Sequence, residues 1–353
     1  MPDSVAIVGA GVSGLTCAVV LAERGYQTAI FAEKTGQRTT SAAAAAIWYP
    51  YDAEPIDKVI AWALETYKVL VDLSCKRNTG VSMIELRTFS RSAEIQIPEW
   101  AIPLGASVIP TELENTASRE RRRMDCGSGS RLGRSDETGE RIGRSRVKSL
   151  TVLPAAFKSG FIMNVPLTDT TIYLDYLTNR FLDAGGRINP NVRFETLEDV
   201  SREFDLVINC SGIGAKLLVP DAELEPHRGQ VAIVSKIDLP CAIVCDDLPL
   251  MYAIPRANDC VFGGTNELSD NYEPDPAATS RVVAECSRVL DLSKPKVLDS
   301  RVGLRPFRRS GVCLRADRLR DGRTVIHNYG HGGSGFTLSW GCAREVFDFT
   351  QTS

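Results

Sequence analysis

The sequence predicts an α/β fold in which a Rossmann-like dinucleotide-binding domain joins a second domain built on an antiparallel sheet. Three observations lead there. The apolar run Val5-Ala6-Ile7-Val8 passes directly into Gly9-Ala10-Gly11-Val12-Ser13-Gly14. A second buried-strand pattern at residues 204–209 runs into another glycine-bearing turn, Cys210-Ser211-Gly212-Ile213-Gly214. Short β-like runs at residues 230–235, 241–245, 251–254 and 260–264 follow, at a spacing that suits antiparallel pairing.

In the first turn, one glycine permits the tight bend, the next lets the backbone approach a pyrophosphate, and the third lets the helix pack on the strand. The helix N-terminus then offers free N–H groups and a partial positive charge to the phosphates. Gly9, Ala10, Gly11, Val12, Ser13 and Gly14 are therefore the predicted pyrophosphate cradle. The helix continues through residues 15–24 and stops at Gly25; a strand at 27–32 ends at Glu33. That carboxylate stands about twenty residues past the glycines, where it can bind a ribose hydroxyl pair. An ordinary glycine-rich turn would lack this strand–turn–helix–strand–acid order.

Composition narrows the class. With 353 residues, two or three domains and large cores are expected. A net charge of -3 gives no general attraction to nucleic acid or membranes. No apolar run approaches the ~20 residues of a membrane span, and the sequence begins in a strand pattern rather than a signal peptide. The ten cysteines are scattered without C-x-x-C pairs, as expected of small buried hydrophobes in a reducing cytoplasm, and no metal site is predicted.

Further along, the five alanines Ala42–Ala46 read as the start of a closely packed helix, ahead of Ile47-Trp48-Tyr49-Pro50. Residues 59–73 form an amphipathic helical pattern, and 81–87 and 94–97 read as strands. From 116 to 148 the chain is rich in Arg, Ser and Gly and nearly lacks large apolar residues, which predicts a surface loop; an anion- or partner-binding insertion is the sharper alternative. A helix over 171–184, a β-like run at 187–194, a helix over 278–292 and dense blocks at 301–308 and 325–340 complete the pattern.

Four blocks together resemble the D-amino-acid oxidase family of flavoenzymes. They are the N-terminal fingerprint with its Thr-Thr-Ser-Ala tail, Asn209-Cys210-Ser211-Gly212, Val302-Gly303-Leu304-Arg305-Pro306, and His327-Asn328-Tyr329-Gly330-His331-Gly332-Gly333-Ser334-Gly335-Phe336-Thr337. The resemblance implies non-covalent, elongated FAD between a nucleotide-binding and a substrate domain. It also implies oxidation of a D-amino acid by hydride transfer to flavin N5, with 2-oxo acid, ammonia and, from dioxygen, hydrogen peroxide as products. A homodimer is the family's usual assembly.

Residue by residue, a guanidinium at Arg305 in an apolar stretch is expensive to bury without an anion. A substrate carboxylate fits its planar fork, and the resemblance assigns it that role; a structural salt bridge is the competing reading. Tyr252 matches the family's active-site tyrosine and can donate a second hydrogen bond, unless it is only a core ring. The carbonyl of Gly333 matches the acceptor for the substrate amine. Gly330, Gly332, Gly333, Ser334, Gly335, Phe336 and Thr337 match the flavin-contacting loop and the helix that starts there. Lys34 matches a basic residue on the adenine side. Thr40 and Ser41 offer hydroxyls to phosphate, Ala45, Ala46 and Ile47 lie along the flavin, and Phe194, Ser211 and Gly212 join the cofactor set. His331 is expected to be structural, because the family needs no catalytic base. Leu248 stands where many relatives carry a lid tyrosine.

The expected organisation is an FAD-binding domain from residues 1–50, 150–225 and 296–353, a substrate domain from 51–115 and 226–295, and an insertion at 116–149. No cation stands near Val244 and Asp246 for a second carboxylate, so neutral, mainly apolar D-amino acids are the expected substrates. The alternatives are an oxidase of D-aspartate or of glycine or sarcosine, a flavin-dependent amino-acid dehydrogenase, an NAD-dependent dehydrogenase, and a non-catalytic flavin-binding protein.

Overall fold

A computed structural model describes residues 4–51, 53–110 and 153–352. The Arg-rich insertion predicted at 116–149 lies outside the described residues. Strand β1 (Ser4–Val8) leads into helix α1 (Val12–Ala22) and strand β2 (Gln27–Ala32), as the fingerprint requires. Next come α2 (Ile56–Ser74), β3 (Val81–Ser90), β4 (Ser107–Val108), β5 (Ser159–Thr168), α3 (Thr170–Asp183), β6 (Arg187–Pro190), β7 (Leu206–Asn209) and α4 (Ala215–Leu218). The remainder supplies β8 (Leu224–Ser235), β9 (Ala242–Cys245), β10 (Met251–Pro255), β11 (Asp259–Gly263), β12 (Glu267–Leu268), α5 (Pro276–Leu290), β13 (Val297–Arg308), β14 (Cys313–Arg318), β15 (Thr324–Tyr329) and α6 (Gly335–Thr352).

These strands form two sheets. The smaller has the order β14-β15-β7-β1-β2-β6 and is parallel except for the β14–β15 hairpin. Its central strand reads as an unbroken apolar run because both faces are covered. Val5 and Ile7 pack with α1, and Ala6 and Val8 with Leu197, Val200 and Phe204. Helix α6 packs on α1 and α2. Gly341 of α6 lies where a Cβ would come within 2.4 Å of Trp62 Cα, so the backbones of α6 and α2 touch.

The larger sheet contains nine strands, with β8 at its heart: β11 and β12 flank one edge and β13 the other. Helix α5 buries Val283, Cys286 and Leu290 against it. The sheet is mixed rather than purely antiparallel, since β3 and β9 run parallel with Leu86 opposite Ala242.

The structure departs from the sequence expectations at four other places. Strands β5 and β13, placed by sequence in the nucleotide-binding segments, pair with β3 and β8 of the larger sheet. Partner choice there is a long-range matter that a strand's own residues do not encode. The alanine run is one 3₁₀ turn at Thr40–Ala43 followed by extended chain, with Ala46 at φ 54. Its backbone bonds to β5 instead of to a helix: Thr168 N–H donates to Ala46 O (3.1 Å) and Trp48 N–H to Pro166 O (2.9 Å). Residues 94–97 form no strand; Ile95 N–H is taken by the Ser159 hydroxyl at 2.8 Å. Finally, β6 stops at Pro190 because Asn191 turns the chain at φ 59.

Candidate active site

A cavity of about 860 Å³ runs between the two sheets and draws its walls from both. At one end lie Gly9, Ala10, Gly11, Val12 and Ser13, where β1 turns into α1. Gly9 has φ +114, and a Cβ on it would stand 2.3 Å from Cys210 O, so the two glycine-bearing turns close on one another. No side chain caps Gly11. The Ser41 hydroxyl instead accepts from Val12 N–H at 2.9 Å, tying the segment after β2 to the open helix end. Asn209 Oδ1 accepts from Ser211 N–H (3.2 Å) and from the Ser211 hydroxyl (2.6 Å), which fixes the second turn. Glu33, Lys34, Thr40, Phe194, Ser211 and Gly212 also line this end. Phe194 was legible only through the resemblance; its ring packs on Phe31 at 5.7 Å.

Ala45, Ala46 and Ile47 form one wall of the middle, facing Gly332, Gly333, Gly335, Phe336 and Thr337 at the start of α6. A reciprocal pair of hydrogen bonds binds these two walls: Tyr49 N–H donates to Thr337 Oγ1 (3.2 Å), whose hydroxyl donates to Tyr49 O (3.1 Å). Ser334 repeats the arrangement with Tyr51, accepting from its N–H at 2.9 Å and donating to its carbonyl. This stitching places the rings of Tyr49 and Tyr51 on the cavity.

The far end holds Arg305, Tyr252, Val244, Asp246, Leu250 and Asn266. Arg305 donates from Nη1 to Thr265 O at 3.0 Å. Among the described residues it forms no ion pair with a carboxylate, so the salt-bridge reading is not met. The guanidinium rests on Gly229, and the Tyr252 ring on Gly263 and Gly264: a Cβ would come within 2.4 Å, 1.9 Å and 2.8 Å of these side chains respectively. Neither seat was expected from the sequence. Burial raises the Tyr252 phenol above its usual range, and the Arg305 charge works against that rise. Tyr49 is pushed up to about 12 by burial and by Asp246. Tyr252 thus stays a proton donor beside a cation.

Three predicted site residues do not line the cavity. Gly14 is pressed against Gly9 O, Gly330 against Arg308, and the Ser334 hydroxyl is spent on Tyr51. Leu248 is 87% exposed, and the next leucine, Leu250, reaches the cavity in its place. The His331 ring is buried, with Nε2 2.9 Å from Asn328 Oδ1, and burial lowers its pKa to about 4, so the imidazole is neutral.

A two-sheet α/β chain whose elongated cavity has the α1 N-terminus and Glu33 at one end and Arg305 at the other has the layout of a nucleotide-binding enzyme. The model for FAD dependent oxidoreductases matches residues 4–349, and the chain belongs to that family. It is 35% identical over 344 residues to a D-amino-acid oxidase of Rubrobacter xylanophilus, covering 96% of this chain and 93% of that protein. A D-amino-acid oxidase of Streptomyces coelicolor is 33% identical over 350 residues, covering 97% and 95%. Among solved structures, glycine oxidase from Geobacillus kaustophilus shares the fold with a TM-score of 0.73 at 16% identity, covering 99% of this chain and 95% of that one.

The cavity suits the family's cofactor. The α1 N-terminus, where Gly11 carries no capping side chain and Ser41 takes Val12 N–H, meets the needs of a pyrophosphate, and the strand-end carboxylate of Glu33 those of a ribose. The open path past Ala45–Ile47 and the start of α6 accommodates a flat ring.

Proposed function

We propose that the protein oxidises D-amino acids, preferring neutral, mainly apolar side chains, to 2-oxo acids with release of ammonia and hydrogen peroxide. The observation that carries this reading is Arg305, a cation without a carboxylate partner among the described residues, facing the same cavity as Tyr252 and Gly333. The full-length likeness to two D-amino-acid oxidases supports it.

In this reading Arg305 takes the substrate carboxylate in its two-donor fork, and the Tyr252 hydroxyl adds a further hydrogen bond. The Gly333 carbonyl accepts from the substrate amine, which fixes the Cα–H bond toward the flavin side of the cavity. FAD, when bound, supplies the acceptor for the Cα hydride and the route of both electrons to dioxygen. Gly9 to Ser13, Glu33, Lys34, Thr40, Ser41 and the start of α6 hold it. His331, neutral and bonded to Asn328, moves no proton. At the substrate end the described walls hold Asp246 and no cation besides Arg305, which supports uncharged side chains over acidic ones.

The described cysteines are free thiols, all but Cys75 buried, which supports a reducing cytoplasm. No described helix is long and apolar enough to cross a membrane. We propose a homodimer on the family's pattern.

Anaerobic mixing of the flavin-loaded protein with D-alanine and with L-alanine tests the reading. Bleaching of the flavin band by the D-enantiomer alone, reversed by air with peroxide release, is expected; equal bleaching by both, or by glycine only, overturns it.

A further inference from the structure

The segment between β12 and α5 leaves the larger sheet and meets Lys34, just past the end of β2 in the smaller one. Its Tyr272 ring lies beneath Lys34, with Nζ 4.7 Å from the ring centroid, and both residues line the glycine-turn end of the cavity. This crossing is held from below. Arg228 is 4% exposed, and its described side-chain partners are all neutral oxygens: Nε donates to Asn271 O (2.9 Å), and Nη2 to Glu273 O and Gln230 Oε1 (both 2.7 Å). Gln230, fully buried, accepts from Asp275 N–H (2.9 Å) and donates to Asp275 O (2.7 Å). A buried guanidinium and a buried amide therefore grip the backbone on both sides of Tyr272. Desolvating a charge for neutral acceptors is costly, so this is an expensive way to anchor a surface loop. The anchored ring faces Glu33 closely enough for that carboxylate to raise its phenol, after burial itself.

We propose that Tyr272 and Lys34 form a clasp over the adenosine arm of FAD, and that Arg228 and Gln230 are positioning residues for it. The inference rests on the family's cofactor and is independent of which amine is oxidised. An aromatic face and a cation offer stacking and cation–π contact to a purine beside the ribose carboxylate. Such a clasp joins the two sheets through the cofactor, so it governs cofactor retention rather than hydride transfer.

The test uses full-length protein stripped of flavin and titrated with FAD, with ADP (the adenosine arm alone) as competitor. Tyr272→Ala is expected to raise the Kd for FAD and the inhibition constant of ADP each about tenfold, the worth of one lost ring contact. Tyr272→Phe is expected to bind like the parent, because the ring is kept. Arg228→Met is expected to copy the Tyr272→Ala loss, and adding it to Tyr272→Ala to cost little more. FAD affinity unchanged in Tyr272→Ala overturns the proposal, as does weakened FAD binding with the inhibition constant of ADP unaltered. Tyr272 is half exposed, so its variants decide the matter even if Arg228→Met does not fold.

Discussion

Arg305 lies against the backbone of Gly229, on the neighbouring strand, so closely that a Cβ there would stand 2.4 Å from its Nη1. Strands β8 and β13 pair with Gly229 opposite Gly303, so the guanidinium reaches diagonally back across the ladder to lie on bare peptide. Gly229→Ala is therefore expected to move the guanidinium while leaving the fold intact, because the colliding atoms are the end of a flexible side chain. Since a misplacement of about 1 Å can cost ~100-fold in rate, we expect kcat/KM for D-alanine to fall by one to two orders of magnitude. The thermal midpoint should change little. Steady-state kinetics beside a melting curve check both halves.

Arg305→Ala removes the charge itself. Losing a two-donor charged contact should cost on the order of 3 kcal/mol, or about a hundredfold in kcat/KM, carried mainly by KM. Flavin binding should persist. Arg305→Lys should recover only part, because an ammonium cannot offer the fork. Rapid-reaction reduction at several D-alanine concentrations separates binding from the reductive step; unchanged reduction by the alanine variant would remove the carboxylate role.

Gly11 opens the helix end to the cavity, and a Cβ there already meets the Ser41 hydroxyl at 3.0 Å. A larger side chain should fill the space we propose for phosphate and break the Ser41–Val12 tie. Purified Gly11→Val is expected to be colourless and to take up FAD only at far higher concentrations, as absorbance on dialysis would show.

Acidic substrates should be disfavoured by Asp246, whose charge already bears on Tyr49 and Tyr252. D-Glutamate is expected to be oxidised at least about tenfold less efficiently than D-norvaline, and Asp246→Ser to narrow that gap from the glutamate side. A ratio unmoved by the substitution would place the side-chain pocket elsewhere.

Stability should fall on the acid side of neutrality. His327 and His331 both drop from an ordinary 6.5 to about 4, chiefly through burial. Between those values the unfolded chain binds protons that the folded chain refuses, so unfolding becomes easier as pH falls from 6.5 toward 4. The loss is on the order of 3 kcal/mol per ring once titration is complete. Urea unfolding at pH 7.5 and pH 4.8, with FAD saturating, is expected to show a smaller difference for His327→Gln than for the parent.

Much of the nucleotide end was readable because its requirements are local: a turn needs glycine within a few residues, and the acid at Glu33 closes the next strand. The substrate end was legible only in part. Arg305 stood out as a charge in an apolar strand and Tyr252 through its match to the family's tyrosine, but their seats at Gly229 and Gly263 are neighbours through pairing, not through sequence. The Ala42–Ala46 run misled because alanine favours a helix intrinsically, whereas Ala46 and Trp48 are pulled into hydrogen bonds with β5. Ser334 and Thr337 matched a flavin motif, and nothing local showed that their hydroxyls bind Tyr51 and Tyr49.

The smaller sheet has an implication for folding. Leu206 of β7 pairs with Val5 on one side and Thr324 on the other, so the middle of the sheet is assembled from three distant stretches of polypeptide. The glycine fingerprint finds its first partners nearby, in β2 and Ser41, whereas β7, β15 and the helix α6 that also packs on α1 come from far along the chain. Contacts of such separation form slowly. The two glycine-bearing turns, Gly9 against Cys210, therefore close on one another only through a long-range pairing, so the cradle is completed by folding of the whole sheet rather than by the fingerprint alone.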